Sequence, residues 1–161
     1  MAELTAARLR EVLDYDAETG VFTWRGSARL GWNGRVAGRN DHGYVRMSID
    51  HAPYYAHRLA WLYVHGEWPP KDLDHRDRNR KNNAIANLRP CGMSENLANA
   101  KRATNNTSGH KGVYRSRKKW RAAIGVNGAS VHIGQYNTID EAIAARRSFA
   151  VAMYGEFAEN D

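Results

Sequence analysis

Residues 72–96 read DLDHRDRNRKNNAIANLRPCGMSEN. Asp74 and His75 stand side by side, Asn87 follows twelve positions after His75, and Asn96 follows nine after that. An isolated Asp-His pair is most often an exposed turn, and loop asparagines are mostly turn formers, which is how Asn79, Asn82 and Asn83 read. The spaced set is more specific than any single member of it. Its residue types also share a chemistry. An imidazole titrates near neutral pH and can take a proton from water. Carboxylate and amide oxygens are hard donors for a divalent cation.

With the flanking AHRLAWLY at 56–63, the stretch 54–102 resembles the HNH homing-endonuclease family, in the subtype that carries Asp-His, Asn and Asn. The resemblance implies a ββα-metal arrangement of strand, loop, second strand and helix. It also implies roles. His75 is the expected general base, Asp74 and Asn96 the expected metal ligands, and Asn87 the residue that orients the His75 ring. Mg²⁺ is the expected cofactor, with Mn²⁺ as a substitute, because such ions take oxygen ligands. The third family letter is Asn96 and not histidine, which argues against zinc-type ligation. Arg76, Arg78, Arg80, Lys81 and Arg89 surround the set as candidate phosphate contacts. His57 has two readings, a phosphate contact at the site or a hydrogen-bonded packing residue.

Beyond it, residues 112–136 hold three short strand candidates, near 112–115, 120–126 and 131–135. Asn127-Gly128 is a strong two-residue hairpin signal between the last two. Thr138 with Glu141 forms a capping box, opening a helix to about Tyr154 whose apolar face is Ala142, Ala145, Phe149 and Met153. The stretches Gly112-Val113-Tyr114, Trp120–Ile124, Ile133–Tyr136 and Thr138–Ala142 resemble the AP2 DNA-binding domain. Period-2 alternation puts Trp120, Ala122, Ile124 and Val126 on the helix side, and Lys119, Arg121, Ala123 and Gly125 on the other. Lys111, Arg115, Arg117, Lys119, Arg121 and His132 are the expected DNA contacts.

Before it, helical spacing runs over 4–13, Asp14 to Gly20 reads as a turn, Val21–Trp24 as a strand, 25–43 as irregular or hairpin structure, and 44–49 as a strand. A second strand starts at Tyr54-Tyr55, and a helix over 57–65 is stopped by Gly66 and Pro69-Pro70. The expected fold is α+β. A β-rich leader over 1–53 precedes a ββα-metal nuclease domain over 54–102. A linker at 103–109 then leads to an AP2-like domain over 110–161, a three-stranded antiparallel sheet packed on one helix.

Composition narrows the partners. The 161 residues carry a net charge of +7, which favours a polyanion. Residues 1–70 balance eight basic against eight acidic residues, while 101–132 hold eight basic residues and no acidic one. That block is a phosphate-facing surface or, more blandly, a solvated basic face or a membrane-surface patch. One cysteine, Cys91, excludes an internal disulfide and a Cys-pair structural zinc. No apolar run is long enough to span a bilayer and no signal peptide is visible, so the expectation is a soluble, cytoplasmic protein without a membrane partner.

The function expected is metal-dependent cleavage of double-stranded DNA by a monomer, as a phage or mobile-element product. The alternatives are a DNA-binding regulator that has lost cleavage on the same scaffold, and an RNA-binding protein.

Overall fold

A computed structural model describes residues 3–25, 31–99, 104 and 106–158. The chain divides into two compact units, Met1–Pro90 and Cys91–Asp161. This division falls ahead of the polar stretch 103–109, of which residues 103 and 105 lie outside the described set.

The first unit opens with helix α1 (Ala6–Val12), where the Thr5 hydroxyl accepts from the Arg8 backbone N–H at 3.2 Å. The chain enters strand β1 (Leu13–Tyr15) directly, where a turn was expected from Asp14. β1 pairs antiparallel with β2 (Phe22–Trp24), Tyr15 opposite Phe22, so that Leu13 and Phe22 fill the core. The turn signals at 16–20 are real but shorter in reach. Asp16 Oδ1 accepts from the Glu18 N–H at 2.9 Å, and Gly20 closes the hairpin at φ +73°.

Three strands follow, β3 (Arg39–Asp41), β4 (Tyr44–Ile49) and β5 (Ala52–Tyr55), in an antiparallel sheet ordered β3-β4-β5. Met47 and Ile49 face inward, while Tyr44 and Arg46 stand on the face shared with Tyr55. Helix α2 (Ala56–His65) buries Ala56, Leu59, Ala60 and Leu62. Gly66 ends it in the left-handed region, its N–H on the Leu62 carbonyl at 3.0 Å. These elements share one core with Leu4, Leu9, Leu13, Phe22 and Leu88. Strands β6 (Asp72–His75) and β7 (Leu88–Cys91) form a two-stranded sheet joined by the loop 76–87.

In the second unit, helix α3 (Met93–Asn99) is followed by β8 (Val113–Ser116), β9 (Lys119–Val126), β10 (Ala129–Tyr136) and helix α4 (Ile139–Tyr154). The sheet order is β10-β9-β8, antiparallel, with α4 packed on it through Ala142 and Ala150. Asn127 and Gly128 both have positive φ, as the two-residue turn requires. Thr138 and Glu141 cap each other reciprocally. The buried face of α4 is Ala142, Arg146, Ala150 and Tyr154, turned from the expected one. Met153 is 48% exposed, and Tyr154 takes the place expected for it because its hydroxyl can donate to the Gly125 carbonyl at 2.6 Å. Ala98 of α3 packs with Ile124, Ala150 and Tyr154, which is why α3 joins this unit.

Candidate active site

Asp74 and His75 lie at the end of β6, where the strand delivers both side chains into a buried position, 6% and 5% exposed. Asp74 is held by Arg89 of β7. Nε and Nη2 of Arg89 both reach Oδ2, at 2.9 and 2.8 Å. Arg89, expected at a phosphate, is therefore a buried ion-pair partner, because a buried carboxylate requires a charged or hydrogen-bonded counterpart.

Two rings flank His75. Its ring centroid is 5.3 Å from that of His57, edge-on, and 6.1 Å from that of Tyr44. His57 also lies 5.8 Å from Tyr55 in a stacked pose. The Arg80 guanidinium covers the Tyr44 ring at 4.8 Å. His57 is thus brought to the site, and its Nδ1 is buried without a hydrogen-bond partner among the described residues. Burial, reinforced by His75 and Arg58, pushes the His57 imidazole down to about 3, so it is neutral. Burial also lowers His75, against the opposing pull of Asn83, Asp77 and Asp74. A neutral His75 retains the lone pair that a base needs.

Loop 76–87 is organised by Asp77, a residue that carried no signal in the sequence. Its Oδ1 accepts from the Asn79 N–H at 2.8 Å and from the Asn87 amide at 2.9 Å, and its Oδ2 accepts from the Asn82 amide at 2.7 Å. Burial would raise this carboxyl, but the bonds from Asn82, Asn79 and Asn87 outweigh it and leave it lowered. Asn87, expected on the His75 ring, instead uses its side chain inside the loop. Its Nδ2 also reaches the Asn82 carbonyl at 2.8 Å and its Oδ1 accepts from the Asp77 N–H at 3.0 Å. Asn79 and Asn82 close local turns through the Lys81 and Ala84 N–H groups.

Asn83 behaves differently from its neighbours. It is 1% exposed, and its Oδ1 faces His75 Nε2 at 3.4 Å. Among the predicted phosphate contacts, Arg76 is exposed and Arg78 half-buried with φ +59°.

Asn96 belongs to the second unit, exposed on α3. Among the described residues, no three His, Cys, Asp or Glu side chains gather as a metal-binding group. Asp74 and Asn96 each carry a hard oxygen donor, the type that a Mg²⁺-like cation takes.

In the second unit, register assigns the basic residues to faces. Tyr114 pairs with Arg121, Ser116 with Lys119, and Ala123 with His132, so these share the face away from α4. Arg121 Nε donates to His132 Nδ1 at 3.0 Å, and its guanidinium lies 5.6 Å from the Tyr114 ring. Arg115 pairs with Trp120, on the helix side, and sits 5.1 Å over the Trp120 ring. That register sets Arg115 on the sheet face opposite Arg121. Arg117 is exposed in the β8–β9 turn at φ +55°, and Lys111 Nζ donates to the Ala98 carbonyl at 2.7 Å. Trp120 packs with Val113, Ala122 and Ala142, as alternation predicts.

No helix among the described residues is long and apolar enough to cross a membrane. Comparison with curated proteins and with solved structures returned no match. Against protein families, residues 54–98, the segment that carries Asp74, His75, Asn87 and Asn96, match the model of the HNH endonuclease family.

Proposed function

We propose that the chain is a metal-dependent endonuclease that hydrolyses phosphodiester bonds of double-stranded DNA, like a homing endonuclease. The observation that carries this reading is the buried, neutral His75 beside Asp74 at the end of β6, inside the segment that matches the HNH family. His75 takes the proton of the attacking water. Asp74 and Asn96 would each offer a hard oxygen to a divalent cation, Mg²⁺ foremost. When bound, that cation supplies positive charge for the departing 3′ oxygen. His57, neutral beside His75, offers a ring N–H to a phosphate oxygen without adding a charge that would repel the cation. Arg76 and Arg78 contact the flanking backbone.

The second unit serves as an AP2-like DNA-binding module working as part of a monomer. Lys119, Arg121 and His132 on one sheet face, with Arg117 in the turn, support that part of the reading. Tethering such a module to the nuclease segment raises the effective DNA concentration at the cutting site.

Supercoiled plasmid incubated with Mg²⁺ is expected to be nicked or linearised. His75→Ala is expected to lower the rate about 10²–10⁴-fold, the usual contribution of a positioned base. Equal cleavage by the variant would remove His75 from the mechanism.

One observation favours a second reading, a DNA-binding regulator without cleavage. Arg89 already neutralises Asp74, and a cation must share that carboxylate. Salt-sensitive DNA binding with no cleavage under Mg²⁺ or Mn²⁺, on DNA containing the selected site, would establish it.

A further inference from the structure

We propose that Asn83 is a positioning residue that fixes the tautomer of His75, and that the N-terminal hairpin holds Asn83 in place. The catalytic consequence rests on His75 acting as the base. The tautomer itself does not.

The orientation of the Asn83 amide decides the chemistry. Its Nδ2 donates to the Lys81 carbonyl at 3.0 Å. A flipped amide would set two acceptor oxygens against each other there, so Oδ1 is the atom that faces His75. An amide oxygen only accepts. The His75 nitrogen opposite it, Nε2 at 3.4 Å, must therefore carry the hydrogen. In a neutral ring the lone pair then lies on Nδ1. Asn83 thus selects Nδ1 as the atom that takes a proton from water.

Asn83 is fixed from behind by a distant part of the chain. The Tyr15 hydroxyl of β1 donates to the Asn83 carbonyl at 2.7 Å. The Ile85 N–H donates to the Ala17 carbonyl at 3.1 Å. Gly20, at the end of the β1–β2 turn, lies so close that a Cβ on it would come within 2.2 Å of the Asn83 carbonyl carbon and the Ala84 nitrogen. The β1–β2 hairpin and the loop segment 83–85 are therefore packed backbone to backbone. This assigns a role to part of residues 1–53, which carry no catalytic motif. They form the wall that orders the loop side of His75.

The direct test is the ring nitrogen spectrum of His75 in the whole ¹⁵N-labelled chain at neutral pH, assigned by its loss in His75→Gln. The Nε2–H tautomer is expected in the wild type. Asn83→Leu, which keeps the volume and removes the acceptor, should lose that single-tautomer signature and nick plasmid at least about tenfold more slowly. An Nδ1–H tautomer in the wild type would overturn the proposal without any variant. So would an unchanged Nε2–H signature in folded Asn83→Leu. A wild type with the Nε2–H ring and no cleavage of DNA supports the positioning role and removes the nuclease reading alone.

Discussion

Arg89 places two nitrogens on a single oxygen of Asp74, Oδ2, with both side chains buried. The pair lies where β6 and β7 run side by side, and it sets the charge of the site before any cation arrives.

Arg89→Met should therefore remove the charge that faces the buried Asp74 carboxylate. The loss on urea unfolding is expected at about 3–5 kcal/mol, as for other buried pairs broken from one side. If Asp74 is a metal ligand, Mg²⁺ should restore part of this loss and raise the Tm of the variant more than that of the wild type. An equal Mg²⁺ response in both proteins would argue that Asp74 does not hold the cation.

Acid should destabilise the fold through His57. Its neighbours are His75, Arg58, Tyr44 and Tyr55, none of them an anion. Its pKa is about 3 when folded, below the unfolded value of 6.5, so the unfolded chain binds more protons between these values. Stability is then fully present above pH 6.5 and falls as pH drops toward 3. The contribution from this group between pH 6.5 and 5 is on the order of 2 kcal/mol. His57→Phe should flatten that slope in urea unfolding at pH 7 and pH 5. An undiminished slope would place the acid sensitivity elsewhere.

Gly20→Ala should disturb the active site from a distance. A side chain at φ +73° is strained, and its Cβ meets the 83–84 backbone. The expected cost exceeds about 1 kcal/mol. Plasmid nicking, measured well below the variant's Tm, should fall while DNA affinity in Ca²⁺ stays close to wild type. An unaltered nicking rate would mean that the 83–85 segment tolerates the shift.

The two faces of the C-terminal sheet should respond differently. Lys119→Ala and Arg121→Ala are each expected to reduce the slope of log K against log salt by about 1, if each contacts one phosphate. Arg115→Ala should leave that slope unchanged and cost about 0.5–1 kcal/mol of stability through its lost contact with Trp120. A reduced slope for Arg115→Ala would show that it turns toward DNA.

Much of this was legible because it is local. The Asn127-Gly128 turn, the Thr138/Glu141 cap, the Gly66 stop and the alternation that buries Trp120 each depend on a few adjacent residues and on backbone geometry. The bringing together of His57 and His75 was open in the sequence, since neither spacing nor type says which rings meet.

The sequence by itself determined the residue types available for chemistry, the element boundaries near strong caps and turns, and the basic block at 101–132. Only the tertiary structure decided what each polar group faces. Asn83 and Asn87 are the same residue four positions apart in one loop, yet one faces the His75 ring and the other ties down Asp77. The difference comes from Tyr15, 68 positions away, and from strand register, which also separates Arg115 from Arg121. Burial leaves a polar side chain few affordable partners, and which partner lies in reach is set by how distant segments pack, not by neighbours along the chain.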